Sequence, residues 1–254
     1  MKHWIKTILL RWWSSVRPNY CGKVIFYHDI GKHYTRMGTP QDLFKEHVAT
    51  ACANGYRYVE QVEELRGDNG HKALMLCFDD GFRGIWDERE YFMAEGLRPT
   101  VFVAVELIGK TGYLTWDEIL ELQSQYGFIF ESHTWSHQTL AGSYIDESPQ
   151  HERTDEWFRR ELYDSKIAIG ERLGKEITGL CFPAGHFSDD VIDRCRLAGY
   201  RNMFASYPGI MTDDDIVPRH LVQAASVKDF MCVLRGGYIP LRKYYIRQHR
   251  TLAR

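Results

Sequence analysis

The sequence predicts an α/β fold, built as one distorted (β/α) barrel, and three observations carry that expectation. Short apolar runs without polar interruption, such as Ala73–Phe78, read as strands buried on both faces, the signature of a parallel sheet. Segments with helical spacing separate these runs, and at least six strand–helix alternations follow one another without a linker or a fixed-period repeat. The length of 254 residues suits one such barrel, since folds of this kind take about 200–250 residues as a single domain.

Taken in order, residues 24–27 read as the first buried strand, ending at His28. Residues 40–53 place Phe44, Val48 and Ala51 at helical intervals and stop near Asn54-Gly55, and residues 56–59 read as a short strand. Residues 73–78 form the next buried strand and run into Asp79-Asp80-Gly81. Residues 84–95 are helical, with Gly96 as the stop signal. A strand over 100–105 precedes Thr115, which with Glu118 forms a capping box for a helix running to Gln125. Residues 128–130 form a strand leading into Ser132-His133. A polar stretch, 142–156, is expected to be a long loop, followed by a helix over 157–173, a strand over 179–182 and a helix over 188–198. Residues 203–205 and 220–222 complete the series as short strands.

Hydrophobic residues make up 44% of the chain, enough to build a sizeable core, and the longest apolar runs fall far short of a spanning helix. The charge is uneven. Residues 1–23 carry five basic side chains and no acid, and residues 241–254 carry five more and no acid. The remaining 22 basic residues face all 34 acids, so residues 24–240 carry −12. Such a body repels nucleic acid, which disfavours a nucleic-acid enzyme. The chain therefore divides into a basic, aromatic N-terminal segment (1–23), a barrel (24–240) and a basic C-terminal tail (241–254). The two ends combine cations with Trp4, Trp12, Trp13, Tyr244 and Tyr245, a composition suited to peripheral contact with an anionic membrane. A solvated tail, or a helix that covers the barrel bottom and buries its tryptophans, is the plainer alternative. The apolar run 7–10 stops at Arg11, too short for a signal peptide, and six cysteines form no C-x-x-C, so a cytoplasmic chain is expected.

Three polar clusters fall at the carboxyl ends of predicted strands, where folds of this class place their sites. Asp79-Asp80 puts two carboxylates side by side after a buried strand. Their repulsion and desolvation need an offset, and a divalent ion supplies one if one carboxylate ligates and the other stays free as a base. A helix cap followed by a turn glycine is the bland reading of the same residues. Ser132-His133-Thr134-Trp135-Ser136-His137 spaces two histidines four apart, so Asp80, His133 and His137 together form an O/N/N ligand set with room for water and substrate. Cys181-Phe182-Pro183-Ala184-Gly185-His186 fixes an irregular turn whose backbone N–H groups can face a ligand.

In these motifs the chain resembles the polysaccharide deacetylases, the NodB-homology or carbohydrate esterase family 4 proteins, over roughly 24–235. Phe78-Asp79-Asp80-Gly81 matches the family's first motif and Ser132–His137 its second. Phe182-Pro183-Ala184-Gly185 matches the third in part. Gly55-Tyr56, Thr100-Val101-Phe102-Val103, Leu114-Thr115-Trp116 and Ala198-Gly199-Tyr200 add flanking phrases. An early Phe26-Tyr27-His28 is similar to the circularly permuted branch that includes poly-N-acetylglucosamine deacetylases, and that likeness implies His28 as general acid. His220 and His186 rank below it. The chain departs from the family where an Arg that orients the base is replaced by Cys181 and a Tyr by Ala184. That leaves the orientation and pKa of Asp79 open, whereas the Ala184 N–H remains available to an oxyanion.

The resemblance implies a metal-dependent hydrolase that removes an acetyl group from an N-acetylated glycan or lipid-linked sugar. It implies Asp79 as base, His28 as acid, the Ala184 N–H as oxyanion donor and Asp80, His133 and His137 as ligands of zinc, with cobalt or nickel as alternatives. A carbohydrate O-acetyl esterase and a degenerate barrel that binds glycan without turnover are the rival readings. Trp135, Trp86 and Trp116 fit either a sugar groove or the core.

Overall fold

Seven parallel strands close into a barrel wrapped by helices. The structure, a computed structural model, describes residues 2–31, 37–141, 153–212, 215–223, 225–241, 243, 246 and 247, and for residues 2–6, 68 and 69 only the backbone. The first part of the expected 142–156 loop and most of the C-terminal tail, including Tyr244 and Tyr245, lie outside the described residues.

The chain opens with α1 (Lys2–Val16), β1 (Lys23–Tyr27) and a small parallel pair, β2 (Asp29–Ile30) and β3 (Gly38–Thr39). Next come α2 (Gln41–Ala53), β4 (Arg57–Val59), β5 (Ala73–Phe78), α3 (Gly84–Asp87) and α4 (Arg89–Ala94). Then follow β6 (Thr100–Val103), α5 (Trp116–Tyr126) and β7 (Ile129–Ser132). A long helix comes after them, in which α6 (Asp155–Phe158) and α7 (Ser165–Leu173) are joined by a π-helical turn over Arg159–Asp164. The chain ends with β8 (Gly179–Cys181), α8 (Asp189–Leu197), β9 (Asn202–Ala205), β10 (Ile216–Leu221) and α9 (Val227–Leu234).

Around the ring the order is β1-β10-β9-β8-β7-β6-β5, and the β1–β5 ladder closes it. β4 lies outside this ring, paired to the start of β5 along the edge that β6 occupies farther on. All strands run parallel, so their carboxyl ends collect on one rim. Alternate side chains along each strand face the interior. Phe102 on β6 and Phe204 on β9, strands three apart, bring their rings to 4.7 Å across that interior. Val24, Phe26, Met75, Cys77, Cys181 and Val217 share the same inner cluster, while their neighbours Ile25, Leu74, Leu76 and Phe78 face the surrounding helices. Continued one residue past the strand ends, in the strand's step of two, the inner lines pass through His28 after Phe26 and Asp79 after Cys77. On β10 the inner line reaches Arg219 after Val217. The interior pattern thus aims the polar residues of the rim into one space.

The expected elements are present with local shifts. The helix expected over 84–95 breaks at Glu88 into α3 and α4, and the strand expected over 100–105 ends at Val103. The capping box of α5 is formed: Glu118 N–H donates to Thr115 Oγ1 (3.3 Å) and Thr115 N–H to Glu118 Oε2 (2.9 Å). The largest correction is β10, expected as 220–222 and found at 216–221. The strand includes Pro218, which has no N–H to donate to a ladder. It is accommodated where β10 passes from its β9 register (216–218) to its β1 register (219–221). Among the described residues, no helix is long and apolar enough to cross a membrane.

Gly84, the first residue of α3, lies against β2, where an added Cβ would overlap the Ile30 carbonyl oxygen and the Asp29 carboxylate. Alanine ordinarily stabilises an exposed helix by ~1 kcal/mol relative to glycine. Here Gly84→Ala is expected to destabilise instead, by about 1–3 kcal/mol, the usual cost of overpacking. Urea unfolding reads the sign directly, and a stabilised variant would contradict this packing.

Candidate metal centre and active site

The turn after β5 carries the first two functional side chains. Asp80 (φ 70°) and Gly81 (φ 74°) both take left-handed backbone, so the chain reverses at once and both carboxylates stay on the rim. Asp79 is almost fully buried, with 3% of its surface exposed. Its Oδ1 accepts from Arg219 Nη1 at 2.6 Å and its Oδ2 from Arg219 Nη2 at 2.8 Å, a two-pronged pair. The guanidinium lies over the Phe26 ring (4.1 Å) and 5.3 Å from the Phe102 centroid, and also donates to Cys181 Sγ (2.9 Å). Burial alone would push the Asp79 carboxyl up, but the charge and hydrogen bonds of Arg219 outweigh it and hold the group below its ordinary value.

Asp80 has different company. Its Oδ1 lies 3.2 Å from His133 Nε2 and 2.9 Å from His137 Nε2. His133 Nδ1 lies 2.8 Å from the Cys181 carbonyl oxygen, which can only accept, so Nδ1 carries the proton. In the neutral ring Nε2 then presents a lone pair towards a carboxylate oxygen. Asp80 Oδ1 is also buried without a hydrogen bond of acceptable geometry. His137 Nε2 faces the same oxygen, so two ring nitrogens converge on a buried oxygen without a hydrogen bond of its own, which fits a cation between them. The donor atoms of Asp80, His133 and His137 all lie within 4.8 Å of one another, and the carbonyl bond on the far side of His133 fixes a metal-ready tautomer. The residues therefore fit a divalent ion bound by one oxygen and two nitrogens.

The loop bearing the histidines is held from beneath. His133 N–H donates to Val103 O (2.8 Å), and Thr134 and His137 both adopt positive φ. Glu161, from the π-helical turn, accepts from Trp135 N–H (3.1 Å) and Ser136 N–H (2.9 Å) on Oε2, and from the Ser136 hydroxyl (2.8 Å) on Oε1. Of five non-glycine residues with positive φ among the described residues, Asp80, Thr134, His137 and Ala184 belong to the loops around this site. Such strain concentrates where surrounding structure holds a functional geometry.

These groups line a cavity of about 610 Å³ whose wall also contains His28, Ala184 and Arg219. His28 Nδ1 lies 2.8 Å from Gln223 Oε1; the amide oxygen accepts, leaving Nε2 free of that contact. Thus His28, Asp79, Asp80, His133, His137 and Ala184 come together as the sequence expected. His220 lines the same cavity but is buried, and burial with nearby Lys23 lowers its pKa to about 3, so it stays neutral. His186 is absent from this wall. Trp86 and Trp116 pack partly buried against the core, and Trp135 donates to Glu106 (3.1 Å), with none of the three lining the cavity.

A sequence profile of the polysaccharide deacetylases matches residues 66–203, more than half of the chain. The chain belongs to the polysaccharide deacetylase family. Among curated proteins, a putative polysaccharide deacetylase of Bacillus subtilis, YxkH, is 24% identical over 197 residues, which span 75% of this chain and 66% of that protein. Among solved structures of similar fold is IcaB from Ammonifex degensii (TM-score 0.74, 18% identity, covering 86% of this chain and 98% of that one). A deacetylase of Streptococcus pyogenes, PplD, solved with acetate, is also similar (TM-score 0.69, 18% identity, 85% and 99%).

In this member of the family the partner of Asp79 is a residue that reading the sequence missed. The guanidinium absent at Cys181 arrives from β10 as Arg219. A charged side chain two residues after Val217, on the inner line of β10, was the available signal. Glu161 was missed as well, and nothing local to 155–173 marks it.

Arg219→Met leaves Asp79 buried without a counter-charge, a loss of about 3–5 kcal/mol of stability at neutral pH. The sign with pH follows from the lowered carboxyl. In the wild type the pair's contribution is present above the ordinary Asp pKa of 3.8 and is lost as pH falls through the lower folded value. In the variant, burial raises the carboxyl and protonation relieves the cost earlier. Urea unfolding of both proteins is therefore expected to show a gap that narrows on acidification; a gap independent of pH would contradict it.

Proposed function

We propose that the chain is a metal-dependent hydrolase that removes the acetyl group from an N-acetylated sugar of a glycan or glycolipid precursor. The observation that carries this reading is the separate compensation of two adjacent carboxylates. Asp79 is neutralised by Arg219, whereas Asp80 faces only histidine nitrogens, so one is kept as a base and the other is shaped as a ligand.

A divalent ion held by Asp80, His133 and His137 would activate a water and polarise the acetyl carbonyl. Zinc suits this donor set, and cobalt or nickel would also be accepted. The residues of the chain supply the rest. Asp79, kept ionised by Arg219, accepts the proton of the attacking water. The Ala184 N–H, presented by a turn with φ 55°, donates to the oxyanion of the tetrahedral intermediate. His28, oriented through Nδ1 by Gln223, delivers a proton to the leaving amine, which departs poorly without one. An O-acetyl ester needs that last proton less, which makes ester hydrolysis the neighbouring activity. The non-catalytic alternative was motivated by the missing Arg and Tyr; the guanidinium of Arg219 beside Asp79 supplies the first, and Ala184 still stands in place of the second.

Asp80→Ala and His133→Ala are expected to abolish metal binding, read as metal content after gel filtration. Asp79→Asn is expected to keep its metal and lose acetate release from N-acetylated oligosaccharides. Metal loss in Asp79→Asn with activity retained in Asp80→Asn would reverse the two roles.

His28→Gln is expected to lower amide hydrolysis by ~10²–10⁴-fold, the usual worth of a general acid. Hydrolysis of a nitrophenyl acetate, whose leaving group needs no proton, should fall far less. Equal losses on both substrates would make His28 a structural residue.

A further inference from the structure

Helix α1 is amphipathic in the wrong sense for a helix packed on a protein. Its inward side carries polar groups beside half-buried Leu10: Ser14 is 1% exposed, and Arg11 donates through Nε (2.9 Å) and pairs through Nη2 (2.8 Å) with Asp229 Oδ1 on α9. Its outward side is apolar. Leu9, Trp12, Trp13 and Val16, at i, i+3, i+4 and i+7, form one stripe and are 57%, 61%, 39% and 57% exposed, with Ile8 at its border. The expectation that this helix would bury its tryptophans on the barrel fails for Trp12 and Trp13. The anchoring of α1 is nonetheless specific. Gly237 admits it closely, since a Cβ there would lie 3.1 Å from the Leu10 carbonyl oxygen, and Asn19 N–H donates to Arg235 O (2.9 Å) just after the helix. The stripe is thus held outward by contacts on the opposite face.

We propose that this stripe seats the protein on an anionic lipid bilayer. The segment's composition selects that partner. Residues 1–23 contain five basic side chains and no acid. Lys23 is buried in β1 and Arg11 is held by Asp229, which leaves the cations of Lys2, Lys6 and Arg17, the last exposed over the Trp13 ring at 5.0 Å. Tryptophan rings settle at the headgroup level, leucine and valine enter just below it, and cations meet the anionic surface. A second copy of the chain is a poorer occupant, because a twofold contact would set these cations against their own copies without an acid to answer them.

The docking face adjoins the cleft. Asp229, the anchor of Arg11, and Val233 lie on α9 and line the same cavity as Asp79 and His133. One helix width, ~10 Å, therefore separates α1 from the cleft. On the deacetylase reading, this places the site beside a sugar carried on a lipid rather than one free in solution.

Flotation of the full chain with vesicles tests the docking without requiring turnover, so its outcome is independent of the deacetylase reading. Binding is expected to vesicles of phosphatidylcholine mixed with phosphatidylglycerol and not to phosphatidylcholine alone. It should weaken as salt is raised and the Debye length shrinks from ~10 to ~3 Å. The combined Leu9→Ser, Trp12→Ser, Val16→Ser variant should melt like the wild type and bind at least about tenfold less. Arg17→Glu should weaken binding in the same direction and decides the matter if the triple variant fails to fold. Absence of wild-type binding, equal binding by the variants, or stripe-dependent self-association in sedimentation without lipid would each overturn the proposal.

Discussion

Two adjacent carboxylates buried at the end of one strand are the constraint on which the rest of this site depends. Asp79 and Asp80 repel each other and lose hydration together, and neither could stay charged without a separate answer. The answer to Asp79 comes from two strands away: β1 lies between β5 and β10, and Arg219 reaches Asp79 across it, passing over Phe26. The pair can exist only once the barrel has closed through the β1–β5 and β1–β10 ladders. Closure and charge compensation are therefore one event, and a chain that failed to close would hold an uncompensated acid in its interior.

The answer to Asp80 is local and strained. The histidine loop holds two residues at positive φ, and its conformation rests on the buried carboxylate of Glu161 beneath it. A π-helical turn supplies that carboxylate at the point where α6 passes into α7, a use such turns often serve. The cation site thus stands on a strand end, a strained loop and a helix irregularity, the last two tied together by the buried Glu161 carboxylate. Rigid support of this kind is what ligand geometry needs.

Much of this was legible in the sequence because it has period two. The continuous apolar run 73–78 announces a strand buried on both faces, and counting in twos from Met75 and Cys77 reaches Asp79. The same count from Val24 and Phe26 reaches His28. The clusters around Asp80, His133 and His137 were readable because their members are near neighbours in the chain. Arg219 was not, since it meets Asp79 across 140 positions and sits beside a proline that argues against a strand. Glu161 was hidden because two of its three partners are backbone N–H groups, which leave no trace in sequence, and the third, the Ser136 hydroxyl, lies 25 positions away. The outward stripe of α1 is readable as amphipathic spacing, but only the Arg11–Asp229 contact tells which side faces the protein.

The division between the two carboxylates is the central claim, and a crystal structure with a divalent ion bound tests it most directly. The anomalous peak is expected at ~2.0–2.2 Å from an Asp80 oxygen, His133 Nε2 and His137 Nε2, with Asp79 still paired through both oxygens to Arg219. Asp79, His133 and Cys181 also bring one donor atom each within 4.8 Å of one another. A peak in that second group, with the Asp79–Arg219 pair broken, would contradict the account.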